Sequence, residues 1–168
     1  MGEYPDMPDP YIDAFFAEAV DTFRSMLQVQ LNEDPAAPKI PEDALEVSAF
    51  VGLSGAANGS LMLIVTEDVA CRLYARFTKQ ARTELDEMVM DGLVELVNII
   101  GGNALGRLEK AGVERIVMSC PDIALGRPRE NARDAGKIVQ RVYQSELGPV
   151  TVEVKVLALS LVNKEGPR

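Results

Sequence analysis

Two carboxylates and an amide recur at helical spacing in the middle of the chain, at Asp91, Glu95 and Asn98. With about 3.6 residues per turn, these side chains and Gly102 fall within roughly 60° of one helix face. Carboxylates and amides accept or donate hydrogen bonds to whatever meets that face. The spacing therefore predicts a polar stripe that presents an acid and an amide to a partner.

The helix that carries the stripe is predicted to run from about Thr83, as its N-cap, to about Lys110. Its core face comprises Leu93, Leu96, Val97, Ile100 and Ala104, and the stripe is flanked by Val94, Ile99 and Leu105. An apolar rim around polar groups suits a docking surface. A plain solvated face is the alternative, because any amphipathic helix shows polar residues opposite its apolar side.

Two adjacent glycines, Gly101 and Gly102, lie within the same helical pattern. Each costs roughly 1 kcal/mol relative to alanine in a helix interior. Their cost calls for a reason such as close packing or the close approach of a partner backbone, which weighs against a plain solvated face.

The spacing of Asp91, Glu95 and Asn98, followed after twenty-two residues by Pro121, resembles the motif of the CheC/CheX/FliY family of bacterial chemotaxis phosphatases. The likeness extends to the first helix and to a glycine-turned hairpin from Val51 to about residue 63, and it covers about residues 9 to 162. With one motif-bearing helix, the chain resembles CheX more than CheC. The resemblance implies a homodimer whose sheets join.

The resemblance also implies that the substrate is a phosphorylated response regulator of the CheY type, which supplies its own Mg²⁺ and Lys. Asn98 would hold the attacking water in line with phosphorus, as a Gln does in small GTPases. Glu95 would contact the regulator's Lys and align the two proteins. Asp91 is assigned to peripheral docking or helix positioning, and Pro121 to shaping the adjacent loop. The other expected partner-binding residues are Val94, Ile99, Gly102 and Leu105.

Composition excludes several other function classes. The net charge of −9 and the scarcity of basic clusters argue against nucleic acid binding, which needs a positive footprint. There is no histidine, so a His-based triad or a zinc site is not expected. Cys71 and Cys120 are expected to be reduced thiols in or near the core. No metal site or cofactor of the protein's own is expected.

The N-terminus is acidic and lacks the layout of a signal peptide, and no apolar run reaches the roughly 18 residues of a membrane span. A cytoplasmic protein without membrane contact is expected. Residues 1–10 are interpreted as a loose leader and residues 11–168 as a single domain. The first helix is predicted from Tyr11 to about Gln28. Its Glu18 and Asp21 echo the Glu-to-Asn spacing with an acid in place of the amide, so no site is expected there.

The remaining segments predict a mostly antiparallel sheet packed with three helices, an α/β (α+β) fold of CheC-like type in the order α-β-β-α-α-β-β-β. Residues 32–42 and 126–136 are expected to be loops, and Thr66 should cap a second helix from Glu67 to about Phe77. The predicted strands cover residues 45–53, 60–65, 116–119, 138–147 and 150–162.

Two other functions stay open. A non-catalytic dimeric module could use the same helix face to bind or sequester a signalling partner, although such a module has no need for an amide at Asn98. A small-ligand site at a dimer interface has no sequence feature in its favour.

Overall fold

The computed structural model describes residues 9–37, 40–41, 43–113, 115–126 and 136–157. This part of the chain contains three helices and seven strands. The helices are α1 (Asp9–Leu27), α2 (Glu67–Thr78) and α3 (Glu87–Lys110). The strands are β1 (Asn32–Glu33), β2 (Glu46–Gly55), β3 (Asn58–Thr66), β4 (Ile116–Met118), β5 (Asp122–Leu125), β6 (Lys137–Gln144) and β7 (Val150–Leu157).

The strands form one sheet in the order β1-β6-β7-β3-β2-β4, with β5 also paired to β2. Every pairing within the described ranges is antiparallel. Three helices with a mostly antiparallel sheet confirm the predicted fold class. A hairpin with its turn at residues 56–57 joins β2 and β3, as the glycines around it indicated.

The core lies between one face of this sheet and the helices. Side chains alternate across a strand, so every second residue of the central strands faces the helices. These buried residues include Val47, Ala49, Val51, Leu61, Leu63, Val150, Val152 and Val154. From α1, Phe15, Phe16 and Phe23 are fully buried. Burying a side chain of this size contributes about 1.5–3 kcal/mol, so the core is ample to hold α3 in place.

Two strands were not predicted. β1 has only two residues, both polar, and it exists because Asn32 and Glu33 pair with the edge of β6. β5 follows Pro121, which was expected to shape a loop after the strand predicted at residues 116–119. Instead β4 and β5 both pair with β2, and residues 119–121 lie opposite residues 51–52 as a β-bulge. Pro121 is compatible with the bulge because proline has no N–H to give to a ladder.

Ser119 fixes this bulge. Its hydroxyl accepts a hydrogen bond from the Gly52 N–H at 2.8 Å, and its own N–H donates to the Gly52 carbonyl at 2.9 Å. The hydroxyl also donates to the Cys120 carbonyl at 3.0 Å. The edge strand beneath α3 is thus tied to β2 on both sides of the bulge.

Other boundaries differ little from the prediction. Thr66 caps α2 by accepting from the Val69 N–H, as predicted. α1 begins at Asp9, inside the segment interpreted as a leader, and residues 1–8 lie outside the described residues. Most of the predicted loop at 126–136 and the end of the predicted last strand, beyond Leu157, also lie outside them.

Within the described residues, α3 is long and apolar enough to cross a membrane by length and hydropathy alone. A core helix of a globular protein passes the same test, and the apolar side of α3 is buried against the sheet.

Candidate functional site

α3 begins at a cap three residues later than predicted. The Asp86 side chain, not that of Thr83, accepts a hydrogen bond from the Val89 N–H at 2.9 Å. Threonine and aspartate are both favourable N-cap residues, so tertiary packing decides which of the two caps the helix. Leu85 packs against the core directly before Asp86 and thereby fixes where the helix starts.

The buried face of α3 is the one predicted from periodicity. Val89, Leu93, Leu96, Val97, Ile100, Gly101, Ala104 and Leu108 are all buried. On the opposite face Asp91 and Glu95 are exposed, Asn98 is half-buried and Gly102 is exposed. The structure therefore places these four residues in one stripe on the surface.

The Asn98 amide makes no hydrogen bond, and Glu95 and Asp91 form no ion pair, with the described part of the chain. A structural asparagine in a helix would instead bond to nearby backbone groups. An unpaired amide at a half-buried position keeps its donor and its acceptor for a molecule outside the chain.

The flanking residues form the expected apolar rim. Val94, Ile99 and Leu105 are each half-buried, so part of each side chain borders the stripe. At Gly102 an added β-carbon would meet nothing within 4 Å. The fold does not require a glycine there, which leaves the surface of the helix open to a close approach from outside.

A groove continues the stripe toward the end of α3. It has a volume of about 420 Å³ and runs between the helix and the segment leading into β4. Its lining residues include Gly102, Leu105, Gly106, Val113, Arg115 and Ile116. Because Gly102 and Leu105 belong both to the groove and to the predicted docking residues, the two surfaces are continuous.

Glu18 and Asp21, the two acids on α1, form ion pairs within the chain. Arg107 of α3 contacts Glu18 Oε1 at 2.7 Å and Asp21 Oδ2 at 3.1 Å through its Nη2. Glu18 is buried, with 9% of its surface exposed. The α1 face therefore offers no counterpart of the α3 stripe, consistent with the interpretation that it carries no site.

The two cysteines occupy different environments. Cys71 on α2 is buried, as expected, and burial raises the pKa of its thiol, with the charges of Glu67, Asp68 and Asp86 adding to the effect. Cys120 is exposed, so the expectation of a core or near-core thiol was wrong for this residue. It lies in the bulge between β4 and β5. Among the described residues no cluster of three acidic or cysteine side chains could hold a metal ion.

Comparison with known proteins agrees with the resemblance found in the sequence. A family model described as chemotaxis phosphatase CheX matches residues 47–142. No curated protein matches the chain significantly.

Several solved structures share the fold. The CheX–CheY–BeF3–Mg²⁺ complex from Borrelia burgdorferi matches with TM-score 0.73 and 21% identity over 88% of this chain and 97% of that chain. A CheC-like superfamily protein from Shewanella sp. PV-4 matches with TM-score 0.75 and 22% identity over 89% and 99% of the two chains. Chemotaxis protein CheX from Vibrio vulnificus gives TM-score 0.72 and 22% identity over 87% and 95%.

At these identities the structural matches show the fold, whereas the family model covers more than half of the sequence and includes the helix with Glu95 and Asn98. The protein therefore belongs to the CheX family of chemotaxis phosphatases.

Proposed function

We propose that this protein hydrolyses the aspartyl phosphate of a CheY-like response regulator, with Asn98 as the residue that orients the attacking water. The observation that carries the proposal is the state of Asn98, which is half-buried on the exposed side of α3 and unpaired within the described chain. Membership of the CheX family and the Borrelia burgdorferi CheX–CheY complex support a regulator of the CheY type as the substrate.

The chemistry demands little of this chain. Water attacks phosphorus, the bond between phosphorus and the aspartyl oxygen breaks, and inorganic phosphate and a free carboxylate result. The Asn98 carbonyl oxygen accepts a hydrogen bond from the water while its N–H₂ donates a hydrogen bond to a phosphoryl oxygen, which holds the nucleophile in line. An ionised acid at this position would accept only and would repel the phosphoryl group.

Glu95 aligns the two proteins. It lies three residues before Asn98, so the two side chains leave the helix within roughly 60° of each other and about 4.5 Å apart along its axis. An exposed carboxylate there can form a charge-assisted hydrogen bond with the regulator's active-site Lys. The regulator would also hold the Mg²⁺, which neutralises charge on the transferred phosphoryl group.

Around this pair, Asp91, Val94, Ile99, Gly102 and Leu105 would form the docking surface. Asp91 stands one turn before Glu95 and is exposed, so it can reach the rim of a docked regulator. Gly102 would let the regulator's backbone come close. The groove beyond Gly102 would extend the contact toward Arg115.

A homodimer in the cytoplasm remains our expectation. β7 is flanked by β3 and β6 within the chain, so a second copy would have to join at an outer edge or on a face of the sheet. The edge formed by β4 and β5 carries the exposed apolar residues Val117 and Leu125. Light scattering after size-exclusion chromatography measures the oligomeric state.

The proposed activity is tested by following phosphate on a CheY-like regulator from the same organism, with Mg²⁺, in the presence and absence of this protein. We expect the protein to accelerate phosphate loss in substoichiometric amounts. Binding of the phosphorylated regulator with an unchanged decay rate would overturn the phosphatase proposal and favour a sequestering module.

A further inference from the structure

Two glycines of α3 allow side chains of neighbouring elements to pack closely against the helix backbone. A β-carbon added at Gly92 would lie 2.8 Å from Cδ2 of Tyr74, on α2. One added at Gly101 would lie 2.5 Å from Sδ of Met118, on β4. Nonpolar atoms make their best contacts at about 3.5–4.0 Å, so alanine at either position would force the helix or its neighbour to move.

The other two glycines of α3, Gly102 and Gly106, have no such neighbours. At Gly102 and Gly106 an added β-carbon would meet nothing within 4 Å. A glycine in a helix interior costs about 1 kcal/mol relative to alanine. At Gly92 and Gly101 the missing β-carbon leaves room for Tyr74 and Met118 to pack against the helix. No side chain packs against Gly106 in this way.

The two contacts lie on opposite sides of the helix. Gly92 and Gly101 are nine residues apart, and at about 100° per residue that separation is two and a half turns. Tyr74 and Met118 therefore press on α3 from opposite flanks. Glu95 comes three residues after Gly92 and Asn98 three residues before Gly101, so both side chains project between the two flanks.

Both neighbours are themselves held. The guanidinium of Arg82 lies 5.8 Å from the centre of the Tyr74 ring, and its Nε lies 3.3 Å from Oδ2 of Asp86, the N-cap of α3. The backbone of Met118 is held by the pairing of β4 with β2, opposite Leu53. Neighbours anchored to α2 and to β4 on the two flanks oppose rotation of the helix about its axis.

We propose that Gly92 and Gly101 are positioning residues that set the rotation of α3 and thereby aim Glu95 and Asn98 at the docked regulator. This inference rests on the proposed function of those two side chains. A β-carbon at Gly101 would have to move by about 1 Å to reach an ordinary contact distance from Met118. A misplacement of about that size can cost a catalytic step on the order of 100-fold.

The test compares two alanine substitutions on the same helix in the regulator assay. For Gly101→Ala we expect kcat to fall by about tenfold or more, with KM within about threefold of the unmodified protein. For the control, Asn103→Ala, we expect both parameters to stay within about twofold, because Asn103 is exposed on the same helix and lies outside both the stripe and the groove.

A double variant separates positioning from folding. In Gly101→Ala/Met118→Ala the long side chain is gone, so the new methyl group can be accommodated without turning the helix. We expect kcat to recover to within about threefold of the unmodified protein, although the truncated Met118 leaves a cavity that lowers Tm further. Recovery of kcat with a falling Tm is an outcome that a purely structural role does not produce.

Two results would overturn the inference. One is an unchanged kcat in Gly101→Ala, and the other is a loss that Met118→Ala does not restore. If the unmodified protein does not accelerate phosphate loss at all, the proposed function fails, and the crystal structure of Gly101→Ala decides the inference. Rotation or displacement of α3 relative to β2 would support it, and an unmoved α3 with a new Met118 rotamer would overturn it.

Discussion

Arg107, in the last turn of α3, places its Nη2 atom 2.7 Å from Oε1 of Glu18 on α1. The Glu18 side chain is 12% exposed, whereas that of Arg107 is 45% exposed. The carboxylate is therefore largely removed from water and depends on this guanidinium for its charge partner. The contact links the two helices on the side of α3 away from its stripe.

Arg107→Ala should lower the free energy of unfolding by about 1–3 kcal/mol, because it leaves the sheltered Glu18 carboxylate without a partner. Denaturant unfolding measures the change. Arg24→Ala is the matched control, since Arg24 pairs with Asp21 at an exposed site and should cost no more than about 0.5 kcal/mol. Equal losses in the two variants would show that the Glu18 contact has no special weight.

Glu95→Ala should weaken binding to a CheY-like regulator activated with beryllofluoride and Mg²⁺. A hydrogen bond to a charged group contributes about 1.5–3 kcal/mol, so Kd should rise by about tenfold or more. Titration calorimetry measures it. Glu84→Ala removes an exposed glutamate outside the stripe and should leave Kd unchanged. A Glu95 variant that binds as tightly as the unmodified protein would remove Glu95 from the interface.

The sequence predicted the buried and the exposed face of α3 because the signals for them are local. A period of 3.6 residues placed Leu93, Val97 and Ile100 on the buried side and Glu95 and Asn98 on the outer side, and the structure does the same. For Gly101 and Gly102 the sequence indicated that a reason for glycine exists but not which reason applies to which residue. No local pattern shows that Gly101 packs closely against Met118 whereas Gly102 faces open space, because Met118 is brought to the helix by the pairing of a distant strand.

Features that depend on distant pairing were missed. β1 has no strand propensity of its own, and the edge of β6 makes it a strand. β5 was missed because Pro121 looks like a terminator unless the bulge opposite residues 51–52 is known. The link between Arg107 and Glu18 joins residues on separate helices, and no local pattern indicates it.

One thiol should react with Ellman's reagent in the native protein and two after denaturation. Cys120 is exposed, whereas Cys71 is 5% exposed and has a raised pKa from burial and nearby carboxylates. The thiolate is the reactive form, so the raised pKa lowers the reactive fraction of Cys71 at any pH below that pKa. Burial also limits the access of the reagent to its sulfur. Cys120→Ser should abolish the native reaction. Two fast thiols in the native state would contradict the buried position of Cys71.

Removal of divalent cations should affect the reaction and not the fold. EDTA is expected to leave the Tm of the isolated protein unchanged, because no described side chains form a metal cluster. It should stop the acceleration of phosphate loss, since the regulator holds the cation. A rise in Tm of the isolated protein on adding Mg²⁺ would instead reveal a metal site on this chain.

The most direct test of the central claim is the single-turnover decay rate of a phosphorylated CheY-like regulator saturated with Asn98→Ala, compared with Asn103→Ala. Asn103 is an exposed asparagine on the same helix but outside the stripe. Asn98→Ala should reduce the accelerated rate by about 100-fold or more while Tm changes little, because Asn98 makes no hydrogen bond with the described residues. Asn103→Ala should match the unmodified protein. An Asn98 variant that still accelerates decay to the full extent would contradict the assignment of Asn98 as the residue that orients the water.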